Sequence, residues 1–322
     1  MSEDARALAP PTELPPLPLD EWRPTKDTLH LYAQVVGKLR LATTPLRNHW
    51  WNVSLYVDVR GLTTRRLRHG DVSFSIDFDF LDHELRVRTD RGDVKSLPLR
   101  DGLSVARFHA GLLAMLADLG VELAIRAEPF GVPMTTPFAD DHEHAAYDAD
   151  AVERWWRIAA WSDWVLEGFA AWFCGKTSPV HLFWHSFDLA LTRYSGRRAP
   201  PLPDADPVTR EAYGEEVISF GFWAGDDQMT EPAYYSYTAP EPAALTHHPL
   251  EPEQARWVEA GPGHLAVLRY DDVRAAAAPH EALLRFLQSA YDAGTAAAGW
   301  DADALRSSWC PGPGEFDVAI GR

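Results

Sequence analysis

Residues 180–195 hold the groups most able to do chemistry, with His181, His185 and Asp188 close together in Val-His-Leu-Phe-Trp-His-Ser-Phe-Asp-Leu-Ala-Leu-Thr-Arg-Tyr-Ser. Their geometry decides what they could do. On a helix, His181 and His185 stand one turn apart and could share a metal ion. On a strand, four residues span roughly 13 Å, too far for one ion. Ser178-Pro179 interrupts whatever precedes, because the residue before proline is driven out of the α region. Beyond it, Phe183, His185, Phe187, Leu189 and Leu191 alternate with Trp184, Ser186, Asp188, Ala190 and Thr192. This spacing predicts a strand and no metal at the two histidines. In the plainer alternative, His185 is a packed core-face histidine and His181 only opens the strand.

The same alternation predicts a site. Trp184, Ser186, Asp188 and Ala190 lie on the face away from the aliphatic residues, beside Ser219, Gly221 and Trp223 of a strand over Glu216–Trp223. Small residues in the middle, tryptophans toward the ends and one carboxylate make a surface suited to the floor of a ligand cleft. Glu231-Pro232-Ala233-Tyr234-Tyr235-Ser236-Tyr237 offers a rim whose tyrosines, Tyr235 among them, carry hydroxyl donors on aromatic bodies, although ordinary strand aromatics are the plainer expectation. The opposing expectation is that a Trp-rich helix covers this face and that Asp188 pairs with Arg193 or a backbone group. Three functions follow. The first is binding of a small, largely apolar molecule with Asp188 as anchor. The second is an enzyme using Asp188 or Glu216 as acid or base with His185 nearby, which requires a burial-raised carboxylate pKa. The third is a protein-interaction module built on an exposed sheet.

Composition narrows the classes. The chain has 322 residues, 46% of them hydrophobic, and includes 13 tryptophans, enough for a large core. Its net charge of −17 opposes a phosphate-binding surface, so nucleic acid is not an expected partner, nor is an anionic membrane. Cys174 and Cys310 suggest no disulfide framework. No signal peptide and no membrane-spanning run is read, and a cytoplasmic protein is expected. Nucleophile elbow, phosphate loop and dinucleotide fingerprint are missing from the sequence, so no cofactor is expected. The acidic run Asp140-Asp141-His142-Glu143-His144 reads as a solvated linker rather than a metal site.

The elements predict an α+β fold. A Pro-rich tail over 1–19, with a short extended piece at Leu14–Leu19, precedes a helix over Thr25–Arg40. Strands follow at Trp50–Val59, Val72–Phe80, Glu84–Thr89 and Leu97–Leu99, the last an edge because proline cannot donate to a ladder. A helix over Ser104–Leu119 ends at Gly120, and Val121–Ala127 reads as another strand. After a linker over 128–149, Asp150 with Glu153 forms a capping box for a helix that buries Trp161, Trp164, Val165, Phe169 and Trp172 and ends at Gly175. Strands at 180–195, Glu216–Trp223, Ala233–Thr238 and Leu265–Tyr270 lead to a helix over His280–Ala293 and an extension over 294–322.

Both halves therefore read helix, Thr/Ser-Pro, four strands, helix. We expect a tandem duplication of an α-β-β-β-β-α unit over 20–127 and 150–293, with antiparallel sheets packed by long helices. Pro45 aligns with Pro179, and at that offset Trp50 meets Trp184. If Leu14–Leu19 and Val121–Ala127 are leading strands, the order resembles the duplicated folds grouped with the TATA-box-binding protein. It also resembles helix-grip domains, which hold hydrophobic ligands between a curved sheet and a long helix.

Four stretches carry a further resemblance: Asn48-His49-Trp50-Trp51-Asn52, Pro137-Phe138-Ala139-Asp140-Asp141, the run His185–Arg193, and Val217–Asp226 with its Gly221-Phe222-Trp223-Ala224-Gly225 core. They resemble a mostly bacterial family known only as a domain of unknown function, over roughly residues 17–300. That resemblance implies no activity and no catalytic residue.

Overall fold

The computed structural model describes residues 14–307. The expectations for residues 1–13, for 308–322 and for Cys310 lie outside them. Six helices form: α1 (Leu19–Thr43), α2 (Val105–Asp118), α3 (Ala149–Ala170), α4 (Pro207–Ala212), α5 (Tyr270–Arg274) and α6 (Pro279–Ala298). Strands β1 (Tyr56–Asp58), β2 (Gly61–Thr63), β3 (Leu67–His69), β4 (Val72–Asp79), β5 (Glu84–Thr89) and β6 (Val94–Pro98) build the first sheet. Strands β7 (His181–Phe183), β8 (Asp188–Arg198), β9 (Glu215–Trp223), β10 (Ala233–Ala239), β11 (Arg256–Ala260) and β12 (Gly263–Arg269) build the second.

The fold is α+β, and both sheets are antiparallel. The first runs β1-β2-β4-β5-β6, with β3 also paired to β4, and the second runs β11-β12-β10-β9-β8-β7. Each half is thus a helix, a five-stranded meander and a closing helix, with β3 added in one and α4, β11 and α5 in the other. The duplication is legible in this strand order. It is not kept in the register assumed from Pro45 and Pro179, which sets Trp50, before β1, against Trp184, after β7. The two sheets meet at their corresponding edges. There Leu55 and Leu182 exchange both backbone hydrogen bonds, at 2.9 and 2.8 Å, as directly opposed antiparallel residues do. One continuous hydrophobic core runs through both halves. Among the described residues no helix is long and apolar enough to cross a membrane.

Several elements differ from expectation. Neither leading strand forms. Leu17 and Leu19 are buried, but Leu19 already opens α1. Residues 121–127 are extended with alternating burial but have no ladder partner, so the alternation reports a coil laid on the core. The strand expected over Trp50–Val59 shrinks to β1, because Asn48–Trp50 forms a 3₁₀ turn with His49 and Trp50 at φ 53° and 59°. Strands β2 and β3 went unread, each being three residues, too short for alternation to register. Asp148, two residues before Asp150, caps α3 by accepting from Ala151 N, and the helix ends at Ala170 rather than at Gly175. Trp164 is exposed, while Trp155 and Trp156 take the buried places. The acidic run is solvated at Asp140, His142 and Glu143, which are exposed, and its backbone also caps a helix. The carbonyls of His144 and Asp141 accept from Val105 N and Ala106 N at the start of α2, which leaves fewer of that helix's first donors unpaired. Asp141 spends its carboxylate on Glu143 N, His144 N and the His144 ring.

The main correction concerns 180–195. The stretch is a hairpin, with β7 turning at Trp184–Phe187 into β8, and Phe187 at φ 56° ends the turn. Helix α1 holds this turn against the first half. A Cβ on Gly37 would lie 2.2 Å from the Trp184 indole, so only glycine permits the approach. Overpacking of this kind costs about 1–3 kcal/mol. Gly37→Ala is therefore expected to lower stability by that amount in urea unfolding, with a native-like far-ultraviolet dichroism spectrum retained.

Candidate functional site

The second sheet has two unlike faces. Even-numbered residues of β9 point to the helices: Phe220 packs edge-on against Phe169 of α3, ring centroids 5.1 Å apart. Tyr234 of β10 shares this side, its hydroxyl 3.0 Å from Ser162 Oγ of α3. The Trp-rich helix therefore covers the aliphatic side and leaves the other face to a cavity of about 600 Å³. Asp188, Ala190, Thr192 and Tyr194 of β8, Val217, Ser219 and Trp223 of β9, and Tyr235 and Tyr237 of β10 form its floor. His49, Trp50 and Trp51, lent by the first half, together with α4 and Tyr213, close over it. Phe130, Phe183, Trp184, His185 and Ser186 wall one end.

Each wall is fixed by identifiable bonds. Trp184 Nε1 donates to Val53 O at 3.0 Å, and the His30 ring donates to His185 O at 3.2 Å while stacking on Phe187. Gln34 clamps Phe130 by giving Nε2 to its carbonyl and accepting its N–H. Across the roof, Trp50 Nε1 donates to Val208 O at 3.0 Å, His49 Nδ1 to Ala212 O at 3.1 Å, and His49 N to Glu211 Oε1 at 3.1 Å. Lys176 donates to His49 Nε2 and to Glu215 Oε1, at 2.8 and 2.7 Å. Burial lowers the His49 pKa, and the Lys176 charge adds to the effect, so its imidazole stays neutral.

Asp188 is the first residue of β8, not a mid-strand residue, and it faces the cavity. Its two carboxylate oxygens accept from Ser186 Oγ and from the Tyr235 hydroxyl. Burial, then the Asp188 charge, pushes the Tyr235 pKa well above its usual value, so the phenol remains a donor. Gly221 makes this reach possible, since a Cβ there would lie 2.5 Å from the Tyr235 ring and hydroxyl and 2.3 Å from Leu189 O.

Trp184, Ser186, Asp188, Ser219, Trp223 and Tyr235 thus come together around one space, with Gly221 beneath the Tyr235 ring. His185 lines the same space. Burial pushes its pKa down, against the pull of Asp188. Glu216 does not join them. It lies on the opposite face of β9, where its carboxylate accepts from Ser195 Oγ, Arg197 and Trp300 Nε1. Arg193 is also turned away from Asp188. It donates to Phe169 O and stacks 3.7 Å above the Phe169 ring, inside the helix-covered core. Sequence reasoning missed His49, Trp50, Trp51 and Tyr213. The first three come from a distant turn with left-handed backbone at His49 and Trp50, and Tyr213 from the end of α4, places where alternation carries no signal. Tyr237 lies in the stretch read as a tyrosine rim.

Among the described residues no group of three or more His, Cys, Asp and Glu could hold a metal ion. His181 is wholly buried, with Nδ1 2.9 Å from Ser54 Oγ. The model of a family of unknown function, DUF5996, matches residues 14–307. The chain belongs to this family. No curated protein and no solved structure matches it. What this DUF5996 chain does must therefore be argued from the cavity.

Two outcomes are expected. Gly221→Ala displaces the Tyr235 ring from Asp188, and near-ultraviolet dichroism should register the moved tyrosine with a loss of stability of about 1–3 kcal/mol. Separately, burial drives His30 and His181 down to about 3 from 6.5. The unfolded chain takes up these protons first, so stability is full above about pH 6.5 and falls toward pH 3, each imidazole contributing on the order of 1 kcal/mol per pH unit. Urea midpoints measured between pH 4.5 and 7.5 should fall with pH, and less steeply in His181→Phe.

Proposed function

We propose that the protein binds a small, largely apolar molecule in the cavity of its second half, with Asp188 as the polar anchor. The observation that carries this is the cavity itself: about 600 Å³, within the range of small-molecule sites, lined by Trp50, Trp51, Trp184, Trp223 and Phe183 around one carboxylate. The small floor residues Ala190, Thr192 and Ser219 leave the volume open. The roof argues against the sheet face as a docking surface for another protein. An acid–base enzyme finds less support, because Glu216 is turned away onto the opposite face of β9.

A neutral fluorescent probe, N-phenyl-1-naphthylamine, tests the reading. It should bind with a saturable, single-site rise in emission. Thr192→Trp, which fills the middle of the floor, should abolish that rise while leaving the unfolding transition cooperative. Absence of saturable binding to the wild-type chain, or equal binding to the filled variant, overturns the proposal.

A further inference from the structure

Asp188 is a buried carboxylate whose partners on both oxygens are neutral hydroxyls, those of Ser186 and Tyr235. Burying a carboxylate is costly unless it is paired with opposite charge or fully hydrogen bonded. A carboxylate oxygen can accept more than one hydrogen bond, this carboxylate lines the cavity, and among the described residues no salt bridge is formed by it. Two lysines belong to the cavity or its roof. Lys38 lines it with its ammonium 5.8 Å from the centre of the Trp184 ring, its pKa lowered by burial, and Lys176 is paired with Glu215; neither forms a salt bridge with Asp188. His185 and His49 are pushed toward their neutral forms by burial.

The register then surrounds this carboxylate with aromatic side chains. Asp188 stands directly opposite Phe183 on β7 and Trp223 on β9. Directly opposed residues of antiparallel strands project to the same face, and both rings line the cavity. Tyr235 closes a third side through its bond to Asp188. A carboxylate among aromatic side chains is complementary to a cation, which can take the ion pair and the attraction of a ring quadrupole together. The protein's net charge of −17 adds a field that favours the approach of cations.

We infer that the ligand of this cavity carries an ammonium or similarly cationic end, seated on Asp188 between Phe183, Trp223 and Tyr235, with its apolar body along the floor toward Tyr194. This rests on the cavity-binding reading above and specifies the class of ligand it takes.

Two matched series test it by displacement of N-phenyl-1-naphthylamine at pH 7: tryptamine, tryptophol and indole-3-propionate, and octylamine, octanol and octanoate. In at least one series the amine is expected to bind tenfold or more tighter than the alcohol, with the acid weakest. Asp188→Asn should erase the amine preference and leave the alcohol's affinity within a few-fold. Should Asp188→Asn fail to fold, Trp223→Leu serves, lowering the amine's affinity several-fold and the alcohol's little. Alcohols binding as tightly as amines, or a preference unchanged in the folded variant, overturn the cationic ligand and leave the apolar cavity standing. The same holds if the probe binds and no amine displaces it. Failure of the probe itself to bind removes the cavity reading and this inference with it.

Discussion

Trp184 can occupy its place only because residue 37 has no side chain, and much of the site follows from that contact. The indole lies across α1 where a Cβ would stand 2.2 Å away, and its N–H reaches Val53 O on the first half. Its neighbours in the turn are tied to the same helix. The His185 carbonyl accepts from His30, and Phe187 is sandwiched by His30 and Trp155, with centroids at 5.1 and 4.7 Å. A turn gripped on so many sides sets where β7 ends and β8 begins. Because strand side chains alternate, a shift of one residue would turn Asp188 into the helix-packed core and bring Leu189 to the cavity. The helix of one half thus sets the register of the sheet in the other.

The two sheets use corresponding faces differently. In the first, Asp77 and Asp79 of β4 are buried beneath arginines. Asp79 receives Arg60 and Arg86 together with Leu81 N and Asp82 N, and Asp77 receives Arg88, Thr63 and Ser75. Desolvation would raise the Asp79 pKa, but Arg60 and the loop amides outweigh it and hold it low. That face is a solvated surface that carries its own charge pairs, with the Arg60 and Arg88 side chains 41% and 47% exposed. In the second sheet, Ala190, Thr192, Ser219 and Gly221 take the central places; the Tyr235 ring lies over Gly221, and the small residues beside it leave the space above them to the cavity. A duplicated scaffold carries ion pairs on one face and keeps volume over the other.

The roof over that volume carries much of the backbone strain. Of the five non-glycine residues with positive φ among the described residues, His49 and Trp50 line the cavity and Phe187 ends the turn that delivers Asp188. Such conformations cost on the order of 1–3 kcal/mol each and persist where the surroundings over-determine them. Here the surroundings are the Trp50 and His49 bonds to α4, the Glu211 carboxylate on His49 N, and Lys176 on the far side of the imidazole. The roof is thereby held by directed polar contacts, whereas the floor is held by the ladder.

How much of this was legible depended on whether a feature repeats along the chain. The meander strands Val72–Asp79 and Glu84–Thr89, the Ser104-capped helix and the helix-order duplication all declare themselves through period or cap chemistry. The floor was legible for the same reason, since Asp188, Ser219, Gly221, Trp223 and Tyr235 lie on one parity of their strands. Parity also excludes Glu216, which is out of step with Ser219 and Gly221 on its own strand and pairs with Arg197 on the far face. Arg193 is out of step with Asp188 in the same way. The hairpin inside 180–195 was hidden because its turn is made of Trp-His-Ser-Phe, with neither glycine nor proline, and Phe187 takes the left-handed conformation unaided. That conformation is affordable only with the ring locked between His30 and Trp155. The information for the turn therefore resides in α1 and α3, far away in sequence, where no local pattern could reveal it.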